Sequence, residues 1–454
     1  MTPLDAGRDA LARGDHEEAR RLLMPLVEES PAGQATVVLA RVELDADQPD
    51  VALTLLDTFL DARPQHGGAI LLRARAKLAT GDYRGARLDA ETATPLMEDP
   101  AAAARLLVKI DRARAGSRDE DVMATARPLL AIVDAGYLEA RQSGPTDELR
   151  EAAQQLAELE LAGDWTADPE RAKVAFFSHA TDADEALRNY DAHLIEVSAE
   201  FGYIAWPCRI QEYVRGRSVI DVGCGFGGFG MGFLIAGATS YLGLDPAMDL
   251  ETSDAKNKRI RTWSDMGITP LEIAETLPAI RLVRGKSEDL SFDERFDTIS
   301  LHNVTEHLQD LDRVFAGLVP LCKPDTKLVF HHHNFYCWNG HHDAPNQPEQ
   351  LDESRWIHRQ IADWRHIDLV PSLPAHHVYL TDLNRVRLDE LRAITEKYFD
   401  IELWEEIPSS PATLDRLTPE ILDRVRQTVP DLTERDLIIN VVLAIASPKV
   451  DDRG

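Results

Sequence analysis

Residues 218 to 230, Ser-Val-Ile-Asp-Val-Gly-Cys-Gly-Phe-Gly-Gly-Phe-Gly, limit what this chain can fold into more than any other stretch. The run Ser218 to Val222 breaks into glycines at 223, 225, 227 and 228, then resumes as the apolar segment Met231 to Ala236. That pattern predicts strand, tight loop and helix. Glycines let the backbone turn sharply and approach a ligand closely, and the following helix turns its N-terminal N–H groups toward that ligand. Further strands are expected at 240–244, 280–283, 296–301 and 326–331, with helical stretches between them. Such alternation implies a mostly parallel sheet with helices on both faces and ligand at the C-terminal strand ends.

The glycines alone do not name the ligand, because Gly223, Gly225 and Gly228 also satisfy the G-x-G-x-x-G dinucleotide fingerprint. The neighbouring charges decide. Asp221 ends the strand, and no Lys or Arg falls between Asp221 and Asp245. A phosphate sits badly there, whereas a cation is welcome. Asp245 follows Tyr241-Leu-Gly-Leu244, placed to hold ribose hydroxyls. With Asp221-Val-Gly-Cys-Gly-Phe-Gly, Leu244-Asp245, Gly285-Lys-Ser-Glu-Asp-Leu290, Phe296-Asp-Thr-Ile and Glu306-His-Leu in sequence, the chain resembles class I S-adenosylmethionine-dependent methyltransferases. The likeness is good over 200–335 and looser to 447. It implies an α/β, Rossmann-like methyltransferase sheet, with Phe399 to Trp404 and Leu437 to Ile445 as its antiparallel closing pair, and S-adenosyl-L-methionine as cofactor. Asp221, Gly223, Gly225, Gly227, Asp245, Ser287, Glu288 and Asn303 are the implied cofactor contacts. Lys286 departs from the pattern, standing where an acid often reads the adenine amino group, so that contact passes to Glu288.

Ahead of this domain the chain repeats. Ala19, Ala52 and Ala86 recur 33 and 34 residues apart in helical patterns, and Pro31 and Pro64 each follow their alanine by 12. That period suits helix-turn-helix units stacked as a solenoid, and residues 1–100 resemble tetratricopeptide repeats. Gly14-Asp15 and Gly81-Asp82-Tyr83 supply turns; the second copy has Asp47 at the turn position, and the third has Glu98 in place of its closing proline. Either these helices cover the enzyme or their concave face binds a protein partner. Residues 101–200 read as a helical connector ending in a lead-in helix, Asp184 to Glu200. Of the aromatics Phe176, Phe177, Tyr190, Phe201 and Tyr203, core is the favoured reading over a cofactor mouth.

At 454 residues more than one domain is expected. The net charge of -29 argues against a phosphate-backbone partner and against an anionic membrane surface. No signal peptide or apolar run of ~20 residues is found, so a cytoplasmic protein is expected. Cys208, Cys224, Cys322 and Cys337 show no paired spacing.

The least ordinary stretch follows the fifth strand: His331-His-His-Asn-Phe-Tyr-Cys-Trp-Asn-Gly-His341-His342-Asp343. It opens an expected insertion at 331–383; a second is expected at 408–435, both within a methyltransferase domain of 201–447. Methyl transfer to a hydroxyl needs alignment, exclusion of water and a proton acceptor, and histidine titrates near working pH. His302, His332 and His333 are the catalytic candidates, with Asn334, Tyr336, Trp338, His341 and His342 as contacts for a small or carrier-bound acceptor. A metal held by His331, His333, His341, His342 and Asp343 is an alternative, but their spacing matches no metal motif and no ligand set is assigned. A nicotinamide oxidoreductase and a non-catalytic scaffold are the competing functions.

Overall fold

A computed structural model describes residues 2–97, 101–162, 164–251, 269–289 and 292–449; Glu98 and Leu290 lie outside them. The chain divides into two compact units, Met1–Thr125 with Leu161–Asp164, and Ala126–Glu160 with Trp165–Gly454. Among the described residues no helix is long and apolar enough to cross a membrane.

The first unit opens with α1 (Pro3–Ala12), α2 (His16–Glu29), α3 (Gln34–Asp45), α4 (Pro49–Ala62), α5 (Gly67–Ala79) and α6 (Tyr83–Ala93). Each packs on the next. Ala19, Ala52 and Ala86 have no exposed surface, as close helix approach requires. At Gly7 an added Cβ would lie 2.6 Å from Leu23 Cδ2, so α1 and α2 cannot separate to admit one cheaply. Asp47 takes the left-handed turn, φ 58°, that Gly14 and Gly81 take at 73° and 82°. The departure in sequence therefore keeps the backbone conformation, which Asp tolerates better than most residues. Bidentate pairs Arg20 to Glu43 and Arg73 to Asp89 tie α2 to α3 and α5 to α6. The helix α7 (Ala101–Ser143) follows, and the division between units falls within it.

The second unit is built on seven strands: β1 (Ser218–Val222), β2 (Ser240–Asp245), β3 (Ile280–Arg284), β4 (Phe296–His302), β5 (Cys322–His333), β6 (Phe399–Pro408) and β7 (Ile439–Pro448). They lie in the order β3-β2-β1-β4-β5-β7-β6, with β7 antiparallel to both its neighbours. The central strands are buried on both faces, which explains their continuous β-branched and aliphatic runs. Ile220, Leu242, Ile299, Phe315, Leu328 and Phe330 lie at the centre of this core.

Three elements differ from the sequence expectation. The lead-in helix is two, Ala183–Asn189 and Ala192–Glu200, because Asp182 and Asp191 each cap a helix start by accepting from Glu185 N and Leu194 N. Glu306-His307-Leu308, which reads in the sequence as a helix start, instead falls at a short 3₁₀ turn, Thr305–His307, and the helix starts at Leu311, after the capping Asp310. Finally β5 continues through His331–His333, paired to Leu443, Val442 and Val441 of β7, so the segment leaving the sheet begins at Asn334. That segment and the one after β6 share a core of Phe335, Trp338, Trp364, Val425 and Leu437.

Candidate active site

Strand order reverses between β1 and β4, and a pocket of about 220 Å³ opens at their C-terminal ends. Asp221, Gly223, Gly225, His302 and Asn303 line it, with Tyr203, Gly228 and Phe229 opposite. No Lys or Arg stands among the described lining residues. Gly223 and Gly227 are held at φ 75°, and a Cβ on them would lie 2.0 Å from Val304 and 2.4 Å from Leu282. The loop is thus fixed by packing and by its own hydrogen bonds, Gly223 N donating to Leu244 O at 2.8 Å and Gly227 N to Cys224 O at 3.1 Å. Asp245 accepts from Gly225 N at 2.9 Å and from Ala247 N at 2.7 Å, which orients its carboxylate beside the loop. Gly227, Asp245, Ser287 and Glu288 border the cavity in sequence but do not line it; Ser287 is buried and donates to Glu288 at 3.3 Å.

Asp221 is 2% exposed and accepts from Tyr241 Oη at 3.0 Å. Burial, reinforced by the charge of Asp245, pushes its pKa up to about 7. A carboxyl held so uncomfortably favours a cationic ligand, which compensates its charge. These residues fit S-adenosylmethionine: a cradle that a Cβ would fill, a buried acid at the first strand end and an acid at the second.

The aromatic cluster of the lead-in region divides. Phe176, Phe177 and Tyr190 pack together as core. Tyr203 instead lines the pocket, edge-on to Phe229, and Gly228 is small because an added Cβ would meet its ring at 2.8 Å. Sequence reasoning placed Tyr203 with the core because its composition is no different.

The histidines of β4 and β5 have distinct surroundings. His302 stacks on Trp206, centroids 4.5 Å apart and planes 12° apart, and meets Phe229 edge-on. Burial, aided by His331 and Arg209, pulls its pKa to about 3. At neutral pH it is therefore an uncharged part of the pocket wall. His332, expected to be catalytic, is buried away from the pocket. Strand alternation sends it away from its neighbours, 1% exposed, with Thr305 Oγ1 at 2.9 Å from Nδ1, and burial lowers its pKa to about 3. His333 faces the rim, with Nδ1 2.9 Å from His342 Nε2 and Nε2 3.4 Å from Asn339 Oδ1.

Of the expected acceptor contacts, His342 is exposed beside His333 and holds a left-handed backbone, φ 61°. Asn303, on the pocket, is left-handed too at 53°. Such outliers collect where function demands them. Three expectations are corrected, since their polar groups face the protein. Asn334 is fully buried and donates to the carbonyls of Asp436 and Ile439, both at 2.7 Å. Trp338 is 1% exposed and donates to Asp363. His341 is equally buried, its Nδ1 accepting from Asp343 N, and burial lowers its pKa to about 2. Tyr336 is half-buried and donates to Arg385 O.

A glycine loop at the switch point of this sheet, with an acid closing each of its first two strands, forms a site that fits S-adenosylmethionine. Residues 203–397 match the family described as "Methyltransferase domain". Comparison with curated proteins gives no match. Among solved structures, the chain is similar to an S-adenosylmethionine-dependent methyltransferase from Mesorhizobium loti, with 20% identity, a TM-score of 0.31, and 54% of this chain and 97% of that one covered. It is also similar to geranyl diphosphate C-methyltransferase from Streptomyces coelicolor A3(2), with 16% identity, a TM-score of 0.33, and 57% and 85% covered.

Proposed function

We propose that this domain methylates an oxygen of a small or carrier-bound acceptor received at the rim of β4 and β5, beside His333 and His342. When bound, S-adenosylmethionine supplies an electrophilic methyl group on a sulfonium. Asp221 and Asp245 hold the cationic and ribose parts of that molecule, and His302, between Trp206 and Phe229, keeps water from the pocket wall.

The observation that carries the oxygen-directed reading is the 2.9 Å contact between His333 and His342. With Nε2 donating to Asn339 Oδ1, Nδ1 of neutral His333 carries the lone pair that faces His342 Nε2 at the rim and takes the proton. Burial lowers the pKa of His333, and the Asn339 contact opposes that shift. The six helices α1 to α6 complete the proposal as tetratricopeptide-like repeats that recruit a protein partner, supported by their period and pairwise packing.

The test is turnover against a panel of hydroxyl, carboxyl and amine acceptors, with S-adenosylhomocysteine release as the readout. His333→Ala and His342→Ala should each lower turnover by about 10²-fold or more while cofactor affinity stays within about twofold. Full activity of both variants would overturn the assignment. Deleting residues 1–100 should abolish partner capture and leave turnover of a free acceptor unchanged; capture retained by the deletion would remove the recruiting role.

A further inference from the structure

Beside the cofactor pocket lies a second group of side chains that the proposed function uses only in part. Glu306, from the 3₁₀ turn after β4, meets His307 of the same turn and His342 of the segment after β5. One ligand atom from each of the three lies within 4.8 Å of the others. Donor atoms around a tetrahedral ion with bonds of about 2.1 Å stand roughly 3.4 Å apart, so side-chain adjustments of about an ångström would close the set. We propose that Glu306, His307 and His342 bind one divalent transition-metal ion whose open positions take an oxygen donor of the acceptor.

Three observations support this site. First, the ligands are of matched chemistry: two imidazoles and a carboxylate suit zinc, cobalt, nickel or ferrous iron, whereas an all-oxygen set would suit calcium or magnesium. Second, the imidazoles are oriented from behind. His307 Nδ1 lies 2.7 Å from the carbonyl oxygen of Asp382, which fixes an N–H there and turns a lone pair outward from Nε2. His342 Nε2 is engaged by His333, itself next to Asn339, giving the second ligand an outer partner as well. Third, Glu306 is 2% exposed and accepts from His333 N at 3.4 Å, so its carboxylate is held inside the fold beside the two imidazoles. A cation next to a buried carboxylate offsets the cost of burying its charge.

Cys337 is not a ligand in this scheme. Its sulfur lies 3.5 Å from His333 Nε2, but burial pushes the thiol pKa up to about 12, and it belongs to the layer behind the histidines. The site differs from the ligand set considered on spacing alone: His331 packs toward Trp206 and His302, and His341 is buried against His366. Glu306 and His307 were absent from it because β4 and β5 bring them to His342 only in three dimensions.

The acceptor-binding half of this inference rests on the function proposed above; metal binding itself does not, and the two are measured separately. Full-length protein stripped with a chelator and desalted would be titrated with Zn²⁺ and with Co²⁺, the bound metal counted by mass spectrometry and the cobalt followed by its visible spectrum. One ion per chain is expected, with a cobalt spectrum lacking a thiolate charge-transfer band. His342→Ala, on the exposed side, and Glu306→Gln, which keeps the shape of the buried side chain, should each weaken binding about tenfold or more. His376→Ala, an exposed histidine outside the group, should leave it unchanged. Substoichiometric binding, a thiolate band, or equal binding by wild type and His342→Ala would overturn the site. Methyl transfer that the chelator leaves unaltered while metal binding is confirmed would overturn the acceptor role alone.

Discussion

Asp221 sets the pH response of the pocket. Its carboxyl is ordinarily acidic near 3.8, and burial raises it to about 7. A cationic ligand favours the carboxylate, so binding lowers this value and releases a proton. Cofactor affinity should therefore fall as pH drops from 7 to 5, approaching tenfold per unit, a range below the titration of the ligand's own amine. Calorimetry in two buffers of different ionisation enthalpy would read both the affinity and the released proton; a flat profile would remove Asp221 from the cation's surroundings. Asp221→Asn should bind more weakly and lose the pH dependence. The sign for stability is opposite to that of a salt-bridged acid. Because the folded pKa lies above the unfolded one, the contribution of this carboxyl is present at low pH and is lost as pH rises from about 4 to 7. At Gly227 the argument is steric. An alanine there meets Leu282 in a left-handed backbone, and about 1–3 kcal/mol of strain should distort the loop, seen as lost cofactor binding with the fold retained.

At the scale of elements, the segments that leave the sheet after β5 and β6 form one packed body, and Asn334 fastens it to β7. Its amide donates to two backbone carbonyls and its Oδ1 accepts from Tyr336 N. Asn334→Ala leaves those buried groups without partners and should cost about 2–4 kcal/mol in denaturant unfolding, with cofactor affinity nearly unchanged. Loss of turnover without loss of stability would return Asn334 to the acceptor contacts that its position in sequence suggested. Why that role was misread is instructive. The strands announced themselves by β-branched runs, and the glycine loop with Asp221 and Asp245 by charge and spacing. The continuation of β5 did not, because three histidines carry no strand signature and only pairing with Val441 to Leu443 extends it. Once it is strand, alternation alone separates His332 from His331 and His333. Tyr203 and Trp206 were equally illegible: their roles depend on Gly228 and His302 coming up against them from distant strands.

At the scale of the whole molecule, the boundary of the catalytic unit is the question that ion pairs decide. A cut near residue 165 removes the whole of α7, and with it Asp134 and Arg141. Asp134 accepts from Lys173 Nζ at 2.9 Å and from the hydroxyl of Tyr190, while Arg141 pairs with Asp191 at 3.2 Å and donates to the carbonyl of Tyr190. Lys173 is 7% exposed and Tyr190 fully buried, so neither finds water in exchange. Lys173 keeps Glu196 at 2.7 Å, which limits the damage to its charge, but the Tyr190 hydroxyl keeps no partner. Each buried polar group left unpaired costs about 1–3 kcal/mol, and two or three of them rival the stability of an ordinary domain. A chain starting at Ala126 retains Asp134 and Arg141 and coincides with the start of the second compact unit. It should fold, bind S-adenosylhomocysteine with the affinity of the full chain, and melt cooperatively. The chain starting at 165 should melt at least several degrees lower or be recovered insoluble. Equal melting temperatures for the two would show that α7 contributes nothing to the catalytic unit, and failure of the 126 chain alone would show that the repeats are part of its core.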